Sequence, residues 1–326
     1  MSSADTNAAV LGREPAESGK PSATYRVAGD RAVLVEYGEM EFDLALSFFM
    51  LAVDDAIRTR KLDGLIETAP GFRSILVSYE PDDLQVDELI AFLSDVRRDL
   101  DLSSGVQIPS RLLHLPIAFD DTQTRKAVEQ YAHRIRADAP NSEGGNNIDY
   151  VVAYNGLPDH EALFHSLLAT EHLNVFMGFF PGLPFLFPRD PRHAVTAPKY
   201  NPTRTWTPAG AVGLGGPCWS IYPVESAGGY QLVGRTVPIY DLERRNAAFA
   251  VSGLLMRAGD RVQFHRVSEP ELLELWEDVY ADRYRYEIVE GNLDVQEHLD
   301  WAAELSAEAD QLREARERAA ATIPVP

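Results

Sequence analysis

The hydrophobic and polar positions of the N-terminal third switch repeatedly between strand-like and helix-like spacing. Residues 25–38 predict two short strands around a Gly-Asp turn, and residues 64–81 predict a second strand pair around a Pro-Gly turn. The run RLLHLPIAF, residues 111–119, predicts a final strand. Two helices with one buried face are predicted from apolar residues three or four positions apart: Leu46, Phe49, Val53 and Ile57 in the first, and Val86, Leu89, Ile90, Leu93 and Val96 in the second.

These elements follow one another as strands, helix, hairpin, helix and strand. That order is typical of a small α+β sandwich of the ferredoxin-like type, because each helix can pack on one face of a shared sheet. We therefore predict a ferredoxin-like subdomain over residues 24–112.

The pattern changes twice in the rest of the chain. Residues 121–172 are mostly helical and are interrupted by the polar loop DAPNSEGGNN, residues 138–147. From residue 173 to about residue 267, short strand-like runs are separated by Gly and Pro: NVFMGFF, AVGLGG, CWSIYPV, YQLVGRTVPIY and RVQFHRV. Closely spaced strands with such turns predict a compact β-barrel or sandwich, which we assign to residues 113–290.

The two ends of the chain differ in character. Residues 1–23 are polar, lack a basic start followed by an apolar stretch, and are predicted to form a disordered tail rather than a signal peptide. Residues 291–326 are predicted to contain an amphipathic helix that buries one face on this chain or on a partner. That face is formed by Leu299, Ala302, Leu305, Ala309 and Leu312.

Charge and cysteine content narrow the classes of function. The 326 residues carry 50 acidic and 30 basic side chains, a net charge of −20, which disfavours nucleic acids and anionic membranes as partners. There is no apolar run of about 18 residues, so no membrane span is predicted. Cys218 is the single cysteine, which rules out an internal disulfide and indicates a reducing compartment such as the cytoplasm. We interpret Cys218 as a small strand residue, since no activating partner is evident.

Common catalytic and metal-binding signatures are absent from the sequence. It contains no phosphate-binding GxxxxGK[ST], no dinucleotide-binding GxGxxG, no HExxH and no GxSxG. The eight histidines are scattered, and the spacing of His160, His165 and His172 does not place three ligands on one face. We predict no metal site.

Candidate chemistry is concentrated between Gly178 and Thr236. The run GFFPGLPF, residues 178–185, fits either a buried turn or the wall of a pocket. The paired glycines Gly228 and Gly229 permit a positive φ or the close approach of a backbone or ligand. Arg235 fits either a structural ion pair or a contact to a carboxylate or polar carbonyl.

The most distinctive stretch is KYNPTRTWTP, residues 199–208. Its prolines stiffen the backbone, and its side chains are those needed to hold a small planar polar molecule and stabilise an oxyanion. An ordered surface loop with solvated charges is the alternative. The chemistry comes from the cations Lys199 and Arg204, the amide of Asn201 and the flat rings of Tyr200 and Trp206.

Three runs, residues 114–140, 196–236 and 261–295, resemble the carboxyltransferase region of urea carboxylase. The resemblance extends roughly from Tyr25 to Ala309. It covers the first half of that region. The same resemblance extends to the wider family called allophanate hydrolase subunit 1, which includes the Kip inhibitor of sporulation kinase and a subunit of bacterial 5-oxoprolinase. The resemblance implies a ferredoxin-like subdomain followed by a cyclophilin-like β-barrel.

The resemblance also implies a reaction: transfer of a carboxyl group from carboxybiotin to urea or a urea-like amide. For that reaction we assign Lys199 and Arg204 to oxyanion or carboxylate stabilisation, and Tyr200, Asn201 and Trp206 to the positioning of flat rings. Tyr222, Tyr230 and Arg235 are expected to complete the pocket.

The sequence contains no biotin-carrier motif and no ATP-binding module. The resemblance therefore implies that the protein acts as one part of an assembly. The other parts would be a second carboxyltransferase half, a biotin carrier and a biotin carboxylase, and ATP would be used only by a partner. GFFPGLPF is more similar to the Kip-type members, so two other roles stay open. One is a subunit of an ATP-dependent 5-oxoprolinase, and the other is a non-catalytic module that binds a kinase.

Overall fold

The computed structural model describes residues 9–17, 19–40 and 43–326. Its contacts divide the chain into two compact units. The first comprises the residues up to Ser110 together with Asn292–Asp300, and the second comprises Arg111–Gly291 and Trp301–Pro326.

The first unit is built on a five-stranded antiparallel sheet with the strand order β1-β2-β3-β5-β4. Its strands are β1 (Val10–Glu14), β2 (Ala23–Val27), β3 (Ala32–Tyr37), β4 (Leu65–Pro70) and β5 (Ser74–Tyr79). Helix α1 (Leu44–Arg60) connects β3 to β4, and helix α2 (Val86–Asp99) follows β5. This succession keeps the strand, helix, hairpin and helix order expected of a ferredoxin-like subdomain.

Both helices of this unit begin where the sequence provides a cap. The Asp43 carboxylate accepts a hydrogen bond from the Ala45 N–H at 2.8 Å, which satisfies a free donor in the first turn of α1. At α2, Gln85 and Glu88 form a capping box. Among the apolar positions that predicted α2, Leu89, Leu93 and Val96 are buried in the core.

Strand β1 corrects the prediction of a disordered tail over residues 1–23. Residues 10–14 pair with β2, and Val10, Gly12 and Glu14 are half-buried. The alternation is only five residues long and contains two charged residues and a glycine, so its pattern does not predict a strand. Residues 1–8 lie outside the described residues.

A second correction concerns residues 111–119, predicted as the last strand of the first subdomain. They form β7 (Leu112–Phe119), which belongs to the second unit. In the first unit, the strand after α2 is the short β6 (Gln107–Pro109), which pairs with β17 (Asn292–Asp294).

The second unit contains a closed barrel of seven strands, which confirms the predicted barrel and the α+β class. Around the barrel the order is β7, β14, β11, β12, β9, β8 and β15, and β15 returns to β7 as its parallel neighbour. The strands besides β7 are β8 (His172–Met177), β9 (Pro184–Pro188), β11 (Ala211–Gly215), β12 (Cys218–Ile221), β14 (Gln231–Thr236) and β15 (Arg261–Arg266). A short strand, β16 (Glu287–Val289), also pairs with β7, while β10 (Arg204–Thr207) and β13 (Ser226–Gly228) pair with each other.

Six helices complete the chain in and after the barrel: α3 (Thr122–Arg134), α4 (Ile148–Tyr154), α5 (His160–Leu168), α6 (Glu269–Tyr280), α7 (Val295–Glu304) and α8 (Ser306–Ala320). The predicted C-terminal helix is therefore two helices that meet at Leu305, and all five residues of its predicted apolar face are half-buried. Helix α8 packs on its own chain, since the Arg316 guanidinium donates to the carbonyls of Ala194 and Arg192 at 2.7 and 2.9 Å.

Candidate functional site

A cavity of about 220 Å³ lies beside the stretch KYNPTRTWTP in the barrel unit. Nine residues line it: Phe179, Leu183, Phe185, Lys199, Thr203, Ser220, Tyr222, Gly229 and Tyr230. None of the nine is acidic, and one, Lys199, is a cation. The cavity is smaller than the roughly 300–1,000 Å³ typical of drug-sized ligands, so it suits a small planar group.

Two tyrosine rings form perpendicular walls of the cavity. The rings of Tyr222 and Tyr230 lie 6.4 Å apart with an interplanar angle of 86°. Each ring packs on a glycine: a Cβ at Gly215 would overlap the Tyr230 ring, and a Cβ at Gly228 would overlap the Tyr222 ring. The glycines therefore let both rings sit back against the strands, which leaves the space of the cavity free.

The sequence allowed two roles for the paired glycines, a positive φ or the close approach of other atoms, and the structure favours the second. Gly228 and Gly229 are outside the set of glycines with positive φ among the described residues, so turn geometry does not require them. A Cβ at Gly229 would approach Thr203 Cγ2 to 3.2 Å and Lys199 Cβ to 3.6 Å. Close approach is what these glycines permit.

Lys199 is exposed and lies at the cavity. Its Nζ is 5.3 Å from the centroid of the Tyr230 ring, within the range of a cation–π contact. The ammonium group is in reach of both water and the cavity, which suits a role in binding an anion.

Arg204 is buried behind the cavity and does not line it. It is 1% exposed, donates to the Tyr230 carbonyl at 2.7 Å and to the Thr207 hydroxyl at 3.2 Å, and lies 4.4 Å from the Tyr200 ring centroid. Among the described residues, no carboxylate forms an ion pair with it. Its positive charge is therefore held next to the cavity wall without a counter-charge.

Burial keeps the tyrosines around the cavity neutral. Desolvation raises the pKa of Tyr222 and of Tyr200 above the ordinary value, and it raises the pKa of Tyr230 as well, assisted by the neighbouring Cys218. Neutral phenols keep their proton and can donate it in a hydrogen bond. Cys218 is buried in β12, which confirms it as a small strand residue. Burial also raises the pKa of its thiol to about 12, which favours the protonated form.

Three more predicted site residues lie outside the cavity lining. Tyr200 is buried, and its hydroxyl accepts a hydrogen bond from Asn147 at 2.6 Å. Asn201 is exposed, and its carbonyl accepts from Arg136 at 3.0 Å. Trp206 packs behind Leu183 and Tyr222 in a small hydrophobic cluster.

Arg235 makes structural contacts within its own chain, which is one of the two roles that the sequence allowed. Its NH1 lies 3.7 Å from the Asp121 carboxylate, its Nε donates to the Ala209 carbonyl at 3.3 Å, and its guanidinium stacks 4.7 Å from the Trp276 ring. These three contacts satisfy it away from the cavity, so of the eight predicted residues only Lys199, Tyr222 and Tyr230 line the same space.

Sequence reasoning missed two groups of residues. One is the apolar wall formed by Phe179, Leu183 and Phe185, which were not named as site residues. The run GFFPGLPF fitted either a buried turn or a pocket wall, and the structure shows that these three residues line the cavity. The other is a set of buried amides around Tyr200, for which the polar loop at residues 138–147 gave no local signal.

Neither a metal-binding cluster nor a membrane-spanning helix is present in the described part of the chain. No group of three or more His, Cys, Asp or Glu side chains is placed to hold a metal ion within residues 9–17, 19–40 and 43–326. Within the same ranges, no helix combines the length and the apolar character needed to cross a bilayer.

Fold and cavity together define an α+β protein with a closed barrel and a small, aromatic-walled cavity in the barrel unit. The sequence profile of the carboxyltransferase domain, subdomain C and D, matches residues 23–250. The chain belongs to this family.

The relatives of the chain include much longer enzymes and a subunit that the match covers almost entirely. It is 36% identical over 282 residues to urea amidolyase of Saccharomyces cerevisiae, a match that covers 86% of this chain and 15% of that protein. It is 26% identical over 252 residues to a 5-oxoprolinase subunit of Bacillus subtilis, covering 74% of this chain and 92% of that protein.

A solved structure supports the same relationship. The urea carboxylase of Kluyveromyces lactis superposes with a TM-score of 0.83 at 31% identity, over 96% of this chain and 28% of that chain. The chain therefore spans well under a third of the length of the urea amidolyase and urea carboxylase relatives that it matches.

Proposed function

We propose that this chain is a subunit of a biotin-dependent carboxyltransferase that moves a carboxyl group from carboxybiotin to urea or a urea-like amide. The observation that carries the proposal is the cavity between Tyr222 and Tyr230, with Lys199 as its only cation, in a chain of this family.

The lining residues fit a flat, weakly polar ring that bears a carboxylate. Perpendicular aromatic walls and the side chains of Leu183 and Phe185 favour a planar group, while an acidic residue that would repel a carboxylate is absent from the lining. When bound, carboxybiotin supplies an activated carboxyl group. This chain's own residues bind, orient and neutralise charge.

Each lining residue has a proposed task. Lys199 offsets negative charge that develops in the cavity, because an ammonium group held next to a water-poor site interacts more strongly than one in bulk water. Tyr222 and Tyr230 orient flat groups and hold two reactants close, which is a large part of the rate gain in such transfers. Arg204 adds positive potential from behind the wall.

The proposed reaction needs further components besides the residues of this domain. We propose a second carboxyltransferase half, a biotin carrier and a biotin carboxylase, with ATP consumed by the last of these and no metal bound by this chain. The lone buried thiol of Cys218 fits a reducing compartment, so we place the assembly in the cytoplasm.

The second candidate function is that of a 5-oxoprolinase subunit. The match to the Bacillus subtilis protein covers 92% of that subunit, whereas the match to urea amidolyase covers 15% of that enzyme. The two functions can be separated by giving a reconstituted assembly either urea or 5-oxoproline as its substrate and measuring which one is consumed.

The decisive experiment is Lys199→Ala in that reconstituted assembly. Loss of one such charge-stabilising donor typically costs roughly 10²- to 10³-fold in rate, and we expect a loss of this size with the fold unchanged. Rates are measured as bicarbonate- and ATP-dependent carboxylation of urea.

Lys126→Ala is the matched control. Lys126 is also exposed and also lies over an aromatic ring, with its Nζ 5.5 Å from the centroid of Trp206, but it is not among the cavity residues. Its removal should leave the rate unchanged. Near-normal rates in both variants would mean that KYNPTRTWTP is a structural loop or a docking surface.

A further inference from the structure

Three amide side chains are buried together next to the cavity. Asn141, Asn147 and Gln231 are each 0% exposed, and they come from the loop before α4, the start of α4 and the start of β14. Buried amides are costly unless their donors and acceptors are paired, so the bonds they make indicate what they hold.

Their hydrogen bonds converge on the two residues that flank Lys199. The Gln231 amide donates to the Pro198 carbonyl at 2.7 Å, and the Asn147 amide donates to the Tyr200 hydroxyl at 2.6 Å. The first bond holds the backbone before Lys199, and the second holds the side chain of Tyr200, whose own N–H donates to the Gly229 carbonyl at 2.7 Å.

The three amides also support one another. Asn141 donates to the Gln231 side-chain carbonyl at 3.0 Å, and Asn147 donates to the Asn141 backbone carbonyl at 2.6 Å. The Asn147 side-chain oxygen accepts from the Leu232 N–H at 2.8 Å, which ties the group to β14. The Asn141 Oδ1 makes no hydrogen bond within the described residues, but the five bonds just named join the three amides to Pro198, Tyr200 and β14. Hydrogen bonds in a buried network reinforce one another.

We propose that Asn141, Asn147 and Gln231 are positioning residues that hold the Lys199 ammonium over the Tyr230 ring at the cavity. Lys199 is a long, exposed side chain, and its own contacts cannot fix its backbone. The amides act through Pro198 and Tyr200, and Tyr230 precedes Gln231 directly, so one network sets both the lysine and the ring it faces.

The inference is structural, and only its consequence for turnover rests on the proposed function. A readout of the Lys199 position is therefore needed that does not depend on any reaction. The sequence offers one, because the chain contains four lysines: Lys20, Lys61, Lys126 and Lys199.

Reductive ¹³C-methylation of the full-length protein labels these four side chains and keeps their charge. Single Lys→Arg variants assign the signals. Lys199 lies over Tyr230 and Lys126 over Trp206, so the methyl groups of both should be shifted by their rings. Lys126 serves as the internal reference.

The test variant is Tyr200→Phe, which removes only the hydroxyl that Asn147 binds. We expect the ring-induced shift of Lys199 to fall by at least half, with the Lys126 signal unchanged. In the reconstituted assembly, kcat should fall between about tenfold and 100-fold with little change in KM, because a misplaced group loses transition-state contacts.

Tyr131→Phe is the matched control. Tyr131 packs edge-to-face on Tyr200 at 4.5 Å, and its buried hydroxyl makes no hydrogen bond within the described residues. Its removal takes away the same atom from a neighbouring ring without breaking a bond, so both the Lys199 signal and kcat should stay at the wild-type values.

A second variant, Asn147→Ala, should reproduce the loss of the Lys199 shift, and combining it with Tyr200→Phe should add little. An unchanged Lys199 signal in Tyr200→Phe overturns the inference, whatever happens to Asn147→Ala. If Lys199→Ala retains full turnover while Tyr200→Phe moves the Lys199 signal, the proposed function fails and the positioning network stands.

Discussion

At the scale of single residues, the cavity exists because small residues face large ones. Tyr230 lies on Gly215, and its position is fixed by its backbone: its N–H donates to the Tyr222 hydroxyl at 3.3 Å, and its carbonyl accepts from Arg204. The ring cannot move back into the strand, so any side chain added at residue 215 must push it toward the cavity.

Gly215→Ala should therefore damage both the fold and the site. Forcing a methyl group into a packed contact typically costs about 1–3 kcal/mol, and we expect a loss of unfolding free energy of this size. We also expect turnover to fall at least tenfold, because the displaced Tyr230 ring fills part of the cavity. Denaturant unfolding and the carboxylation assay measure the two effects.

The control for this substitution is Gly12→Ala in β1. Gly12 also faces a tyrosine, but a Cβ there would lie 3.6 Å from Tyr25 Cδ2, which is an ordinary contact. Its free energy of unfolding should change little or rise by roughly 0.4–1 kcal/mol. Equal behaviour of the two variants would contradict the role given to Gly215.

The residue scale also shows what local sequence can predict about a site. Lys199 was predicted because cations, flat rings and prolines are unusual together in KYNPTRTWTP, whereas Tyr222 and Tyr230 were expected to complete the pocket of the reaction that the resemblance implies. Asn147 was not predicted, because its loop is polar and its burial depends on Tyr200, 53 positions away. Arg235 was misleading, since the sequence does not tell which face of a barrel strand a side chain takes.

At the scale of elements, helices with clear periodicity were predictable, and the membership of strands was not. Strand β7 has near-continuous apolar character and burial on both faces, as expected of a strand with parallel and antiparallel neighbours. Its partners β14 and β15 follow more than a hundred residues later, so its place in the barrel could not be deduced from adjacent elements.

Strand β1 depends on a single arginine of α2. The Arg97 side chain is 2% exposed and donates to the Glu14 carboxylate at 2.7 Å and to the carbonyls of Pro15 and Pro21 at 2.6 and 2.9 Å. These bonds attach β1 and the segment after it to the helix. A short, half-exposed strand of this kind has little apolar burial of its own.

Arg97→Ala should lower the free energy of unfolding by about 2–3 kcal/mol. This is less than the roughly 3–5 kcal/mol for breaking a fully buried pair, because the Glu14 side chain is 24% exposed and regains water. Hydrogen exchange should also speed up selectively at the β1 amides.

Arg98→Ala provides the comparison on the same helix. Arg98 pairs with Asp95 at 2.5 Å, but both side chains are more than half exposed, and exposed pairs contribute about 0–1 kcal/mol. A stability loss in Arg97→Ala no larger than that of Arg98→Ala would show that β1 is held by other contacts.

At the scale of the whole molecule, net charge and local charge have opposite signs. The chain carries a net charge of −20, yet the cavity is lined by a cation and no acid. At physiological ionic strength, charges more than about 8 Å apart are largely screened, so a carboxylate in the cavity is influenced mainly by Lys199 and Arg204. If the cavity binds an anion, as proposed above, the local cations rather than the net charge favour it.

One exposed aromatic residue at the cavity has the features expected of a contact to a partner. Phe179 lines the cavity, yet it is 78% exposed and adopts a φ of 65°, a left-handed conformation that residues other than glycine rarely take. An aromatic side chain displayed in this way at the edge of a ligand site is typical of an interface anchor. The larger relatives carry this domain together with further parts of the same chain.

We therefore expect the protein, co-expressed with a second carboxyltransferase half, to elute as one species whose mass by light scattering is that of a complex. Phe179→Ser should weaken this association at least tenfold, because it removes a central aromatic contact. Val251→Ser is the control, since Val251 is 93% exposed but is not among the cavity residues, and its loss should have no effect. Two separately eluting monomers for the wild-type pair would rule out the partner, and equal weakening by both variants would mean that association depends on general surface apolarity rather than on the rim of this cavity.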